Sequence, residues 1–257
     1  MSFLAAALAH SLRTPAAIRI DPIPESASPY PDSPLPNEFQ YRGYDESDAN
    51  DVHTRKIVHE VFADFPPMLS AAIASLRDAS DDTFTRWFPT QFYGLENCTV
   101  TSLDYVEGVF EMLFYVDPRF PKSVVAGFVK ERDDFSCLCV CDGRRSKVAA
   151  YFDTPSSRFY FCPSNYTMAA SKIECAGLGH AISERMNSLT LKLVHEFLHS
   201  ELIAEKAPST LGHIGDVAYH PVACVRLAQG MDRQRAFLNA DSYAWFATNA
   251  YYNKDWV

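Results

Sequence analysis

An α+β fold is what this sequence predicts, with a mostly antiparallel sheet between helical N- and C-terminal parts. Three observations carry the expectation. Residues 50–88 place apolar side chains at helical spacing, and residues 100–162 break into short runs at hairpin spacing. Helical spacing then returns over 183–252. Strand runs bracketed by helices are the pattern of segregated helices packing on an antiparallel sheet.

Taken in order, helices are expected near 50–63, 67–79 and 82–88. They form an N-terminal packing layer on which His53 and His59 are surface residues. Strands are expected near 100–106, 109–115, 123–130, 134–141, 147–152 and 157–162. A long helix follows over about 183–205, where Leu189, Leu193, Phe197 and Leu202-Ile203 keep helical spacing and no Pro or Gly intervenes from 180 to 207. A last helix over about 232–252 is opened by Asp232 and carries Phe237, Tyr243, Ala244 and Ala247. The sheet edge is expected beside the 183–205 helix, with a cleft between them for an extended peptide strand.

The chain has 257 residues, 47% of them hydrophobic, enough to bury one good core. Residues 46–257 are read as that domain, and residues 1–45 as an N-terminal segment or linker whose 21–40 stretch is rich in Pro and Ser. Residues 1–12 only faintly resemble a leader, since the apolar stretch is short and no Lys or Arg precedes it. No internal repeat is apparent. A net charge of −9 without a basic cluster argues against nucleic acid as a partner. No apolar run reaches transmembrane length. Seven cysteines, at 98, 137, 139, 141, 162, 175 and 224, form no C-x-x-C pair, and 137, 139 and 141 alternate as on a strand. Asn97-Cys98-Thr99 and Asn165-Tyr166-Thr167 are glycosylation sequons.

The chemistry concentrates in His195-Glu196-Phe197-Leu198-His199, an H-E-x-x-H inside the long helix. His195 and His199, one turn apart on one face, can both reach a metal ion, and Glu196 lies beside them as a general base. A catalytic zinc needs a third protein ligand and an open position. Position 205 is Glu rather than His, and no Glu follows Glu205, which removes the later-His and later-Glu schemes. The third ligand is expected to be an Asp, with Asp216, Asp232, Asp241 and Asp255 available; His213 and His220 are further possible donors. Two imidazoles and a carboxylate suit a hydrolytic zinc rather than a structural one.

Two further segments carry a resemblance. Asp216-Val217-Ala218-Tyr219 follows the H-E-x-x-H helix, and Asn239-Ala240-Asp241-Ser242-Tyr243-Ala244-Trp245-Phe246-Ala247 follows that. The order resembles the fungal aspzincins, the deuterolysin-like M35 metallopeptidases, which pair H-E-x-x-H with G-T-x-D-x-x-Y-G and end in a helix bearing N-A-D-x-Y-x-x-F/Y-A. Trp87-Phe88 and Phe161-Cys162-Pro163 extend the similarity upstream, over roughly 46–257. The resemblance implies a zincin-like fold and a secreted, monomeric zinc endopeptidase with two or three disulfides and one free thiol. It implies His195, His199 and Asp216 as zinc ligands, Glu196 as general base, Tyr219 as an oxyanion donor, and Asp241 as a residue holding a histidine or the ligand loop. The substrate would be a peptide or protein. The chain departs from the pattern at His213-Ile214-Gly215, where the family has Gly-Thr before the Asp, and at His220, where it has Gly after the Tyr. His213 and His220 therefore compete with Asp216 for the metal, and a non-catalytic zinc-binding secreted protein is the alternative reading.

Overall fold

Val61, Phe62, Phe65, Met68, Leu69, Ala72, Ile73 and Leu76 recur at the spacing of one helical stripe, and all are buried. They belong to helix α1, Ala49–Arg77, in a computed structural model. The structure describes residues 47–78, 82–91, 101–114, 129–130, 150–153, 158–161, 181–200, 203 and 213–252. All of them lie within one unit, Asp32–Val257.

The two helices expected over 50–63 and 67–79 are thus a single helix. Pro66 and Pro67 lie inside it and remove the backbone donors that would bond the carbonyls of Phe62 and Ala63. An interior proline costs about 3 kcal/mol. The stripe of buried side chains on both sides of the pair offsets that cost, at about 1.5–3 kcal/mol for each large apolar side chain. Tertiary packing has overridden a local breaker.

The expected mostly antiparallel sheet is not what the described residues form; they are mostly helical. The clearest correction is at 100–106 and 109–115, expected as a strand pair and found as one helix, α3, Ser102–Phe114. Helix α2, Thr83–Trp87, precedes it. The β-branched and aromatic residues of α3 suggest strands, yet Tyr105, Val106, Val109, Phe110 and Leu113 are buried at i, i+1, i+4, i+5 and i+8. A capping box opens the helix: Asp104 N–H donates to Thr101 Oγ1 at 3.1 Å and Thr101 N–H to Asp104 Oδ2 at 3.1 Å.

Three short strands are described, β1 (Val129–Lys130), β2 (Ala150–Asp153) and β3 (Arg158–Phe161), in the order β1-β3-β2. β2 runs antiparallel to β3, with Ala150 opposite Phe161 and Asp153 opposite Arg158, and β1 runs parallel to β3. The expected strand at 134–141 lies outside the described residues, as do both sequons and all cysteines but Cys224.

The C-terminal half supplies helices α4 (Leu189–Phe197), α5 (Pro221–Gln229) and α6 (Ala240–Tyr252). A 3-10 segment, Arg233–Leu238, leads into α6, so the helix expected over 232–252 breaks at Asn239. Helix α6 is buried on every side from Ala240 to Asn249, which makes it the central element of the core. It packs against α1, α2, α4 and α5. Phe88 joins these layers, with its ring 4.8 Å from Tyr243 and 5.8 Å from Phe237. Two polar groups of this core are paired across it: Trp87 Nε1 donates to Asn249 Oδ1 at 3.2 Å, and the Tyr243 hydroxyl to the Phe237 carbonyl at 3.0 Å. Arg77 of α1 bridges Glu107 and Glu111 of α3. The edge strand β2 neighbours α4. Among the described residues no helix is long and apolar enough to cross a membrane.

Candidate metal centre

Helix α4 starts at Ser188, whose hydroxyl accepts from Leu191 N–H at 3.1 Å, some residues beyond the expected start near 183. Its apolar face, Leu189, Leu193, Val194 and Phe197, is buried, with Phe197 against Phe62 and Phe65 of α1. The α-helical bonding stops at Phe197, and i→i−3 bonds from Leu198, His199 and Ser200 tighten the next turn. His195 therefore sits in the last α-helical turn and His199 just past it. Their Nε2 atoms are still only 3.2 Å apart.

Asp216 reaches the same point from the loop between α4 and α5. Its Oδ1 lies 3.1 Å from His195 Nε2 and 3.3 Å from His199 Nε2. Among the described residues this is the set of three side chains that can hold a metal ion.

The hydrogen bonds behind the imidazoles fix which atoms face the centre. His195 Nδ1 is 2.6 Å from Oδ1 of the buried Asp241, and His199 Nδ1 is 3.2 Å from the Ile214 carbonyl. Both partners are acceptors, so both Nδ1 atoms carry hydrogen, and each ring in its neutral form presents a bare Nε2 lone pair. Two ring nitrogens and a carboxylate oxygen thus converge within about 3.3 Å of one another, an arrangement that positive charge satisfies, whether a proton on His195 Nε2 or a bound metal ion. The surroundings are built for that charge. Burial alone would pull the His195 pKa down, but hydrogen bonds to Asp216 and Asp241 and the nearby Glu196 charge outweigh it and bring it to about 9. Burial opposes ionisation of Asp216 as well, and its hydrogen bonds with His195 and His199 overcome this and hold it far below the usual carboxylate range.

Glu196 stands beside the three, with Oε1 4.0 Å from His195 Nε2 and its side chain 13% exposed. The Tyr219 ring lies nearly parallel to that of His195, with centroids 6.1 Å apart. Burial, a hydrogen bond to Asp216 and the acidic charges around it raise the Tyr219 phenol, which stays protonated. The expected competitors do not enter. His213 is exposed, with Nδ1 against the Ile214 carbonyl at 2.8 Å. His220 faces Glu184 at 3.6 Å on the surface. Of the other aspartates, Asp232 precedes the 3-10 segment, Asp241 stands behind His195, and Asp255 lies outside the described residues.

The ligand loop is held by the start of α6. Gly215 N–H donates to the Leu238 carbonyl and Ala240 N–H to the Gly215 carbonyl, each at 2.9 Å, in a parallel bridge between Gly215 and Asn239. Asn239 Oδ1 accepts from Val217 N–H at 3.0 Å and Ala218 N–H at 2.9 Å. Asp241 Oδ2 accepts from His220 N–H at 2.9 Å, so one carboxylate ties His195 to the far end of the loop. Reaching that bond puts His220 at φ 69° and ψ 152°. This is a region almost reserved for glycine, and Gly is what the aspzincin pattern has here. Sequence reasoning assigned no role to Asn239, to Cys224 beneath it, or to α5. The stripe Pro221, Cys224, Val225 and Ala228, with Pro at the first helical position, was the signal for α5.

Among the described residues, a mostly helical fold carries a metal-capable centre that joins two histidines and one aspartate, with a glutamate beside them. The chain matches no protein-family model and no curated protein.

Proposed function

We propose that the chain is a zinc-dependent endopeptidase of aspzincin type, with His195, His199 and Asp216 as ligands and Glu196 as general base. The observation that carries this reading is the triangle of acceptor atoms, with edges of 3.1, 3.2 and 3.3 Å. Ligands about 2.0–2.1 Å from a tetrahedral ion are about 3.3–3.4 Å apart. Calcium and magnesium take oxygen ligands, so two imidazoles with one carboxylate favour a transition metal, of which zinc is the one proposed.

Zinc, when bound, supplies a Lewis acid for the scissile carbonyl and lowers the pKa of its water toward about 7. Glu196 takes the proton of the attacking water and passes it to the leaving amine. The protonated Tyr219 phenol donates to the developing oxyanion. Asp241 keeps the His195 lone pair aimed inward by holding its Nδ1 hydrogen. The proposal includes a secreted protein, on the two sequons at Asn97 and Asn165; a mass decrease on glycosidase treatment of protein from a secreting host checks that part.

The decisive experiment pairs metal content by mass spectrometry with digestion of casein, with and without chelator. About one zinc per chain and chelator-sensitive digestion are expected. Glu196→Gln should keep the zinc and abolish the digestion, and retained turnover would refute the mechanism. Zinc without digestion in the unaltered protein would instead establish a metal-binding protein with no hydrolytic role.

A further inference from the structure

We infer that Asn239 is a positioning residue for the metal centre: it sets Asp216 as the third ligand without touching the ion. The inference rests on the metal-binding half of the reading above, and on nothing about hydrolysis.

His195 lies in the last turn of α4 and His199 in the i→i−3 bonded turn that continues it, which fixes them relative to each other. Asp216 comes from a loop, and its side chain is 41% exposed, so packing does little to hold it. The loop is fixed by hydrogen bonds immediately after the ligand. Val217 N–H and Ala218 N–H both point at Asn239 Oδ1, at 3.0 and 2.9 Å. Two successive N–H groups converging on one oxygen impose a tight bend on residues 216–218. The amide is itself locked, since Nδ2 donates to Ser242 Oγ at 2.9 Å and lies 3.4 Å from Cys224 Sγ. Asn239 is fully buried and all its polar capacity is used. The orientation is forced, because reversing the amide would point N–H at N–H.

The chemistry also explains why the residue is Asn. An Asp would add a third carboxylate beside Asp216 and Asp241 and lose the donors to Ser242 and Cys224. Ser is too short to span to both loop amides. The backbone bridge between Gly215 and Asn239 holds the entry of the loop, and Asp241 holds its exit at His220. Between these two ties, the Asn239 amide holds the bend that carries the ligand.

The test uses the full chain, zinc and cobalt(II). In Asn239→Ala, zinc affinity, measured by competition with a chelator, should fall about 10- to 100-fold, the range for losing a group that orients a ligand. The visible spectrum of the cobalt form should change to match that of Asp216→Ala, as a purely structural weakening would not make it do. An unaltered affinity and cobalt spectrum in folded Asn239→Ala would overturn the inference. If the unaltered protein takes up no metal, the reading of the centre falls, and this inference falls with it. Should Asn239→Ala not fold, Ser242→Ala removes one anchor of the amide. Zinc release to chelator several-fold faster than from the unaltered protein then supports the inference, and an unchanged rate overturns it.

Discussion

His220 holds φ 69° and ψ 152°, and the ψ suits a residue that precedes Pro221 while the φ does not suit a residue with a Cβ. Backbone in this region costs on the order of 1–3 kcal/mol for a non-glycine residue. Replacing His220 with Gly removes that cost. Two smaller terms oppose the gain. Glycine adds unfolded-state freedom worth about 0.4–1 kcal/mol. The 3.6 Å contact to Glu184 is lost, but with the two side chains 60% and 70% exposed it contributes about 0–1 kcal/mol at most. The net expectation is a protein more stable by about 1 kcal/mol, or a melting temperature higher by about 2–4 °C. The assay is urea unfolding of three forms: the unaltered protein, His220→Gly and His220→Ala. Alanine loses the same imidazole yet keeps the Cβ, so the Gly–Ala difference isolates the backbone term. A glycine form no more stable than the alanine form would limit the strain to at most about 0.4–1 kcal/mol, the cost of glycine's unfolded-state freedom, and would refute the expected gain.

Three more outcomes follow from the same geometry. Asp241→Asn cannot accept from both His195 Nδ1 and His220 N–H. It should lose about 1–3 kcal/mol of stability, read by urea unfolding, and about 10- to 100-fold in zinc affinity, read by chelator competition. Burial, and then the charge of Glu107, raise the Glu111 pKa despite the opposing Arg77, so the folded state holds this proton more tightly than the unfolded chain does. The stability linked to that proton is present below the unfolded pKa and lost as pH rises through the folded one. Glu111→Gln should therefore gain stability relative to the unaltered protein as pH rises above the ordinary carboxylate value of 4.5, measured by thermal unfolding at several pH values. Cys224 is buried, and burial together with the Asp241 charge pushes its thiol up to about 12. Peptide mapping after alkylation at about pH 8 should find Cys224 unmodified in native protein and labelled after denaturation.

What was legible in the sequence is what is local or carried by short motifs. His195, Glu196 and His199 meet because residues four apart on a helix share a face. Asp216 was among the few acidic residues downstream, and the D-x-x-Y resemblance singled it out. Asp241 was expected to hold a histidine or the ligand loop, and it contacts both. The failures have two physical sources. Local propensity misled where packing decides: β-branched and aromatic residues over 102–114 read as strands, although Thr101 and Asp104 already spelled a capping box. The gap expected between the helices at 50–63 and 67–79 is closed in α1, whose buried stripe carries it through Pro66 and Pro67. Long-range bonding was invisible where no pattern announces it, as with Asn239, whose amide reaches loop residues 21 and 22 positions earlier.

His195 meets the Asp241 carboxylate 46 residues further along the chain, and that separation bears on how the centre would assemble during folding. Closing a loop of that length costs chain entropy before any contact rewards it, which favours late formation of this contact. The Asp216 carboxylate would join the two imidazoles only as the start of α6 docks. A chain that has not yet seated its last core helix would hold zinc through two imidazoles alone, weakly and reversibly. Tight metal uptake would then mark the moment at which the C-terminal core closes, and a refolding chain watched through that signal would report its own final step.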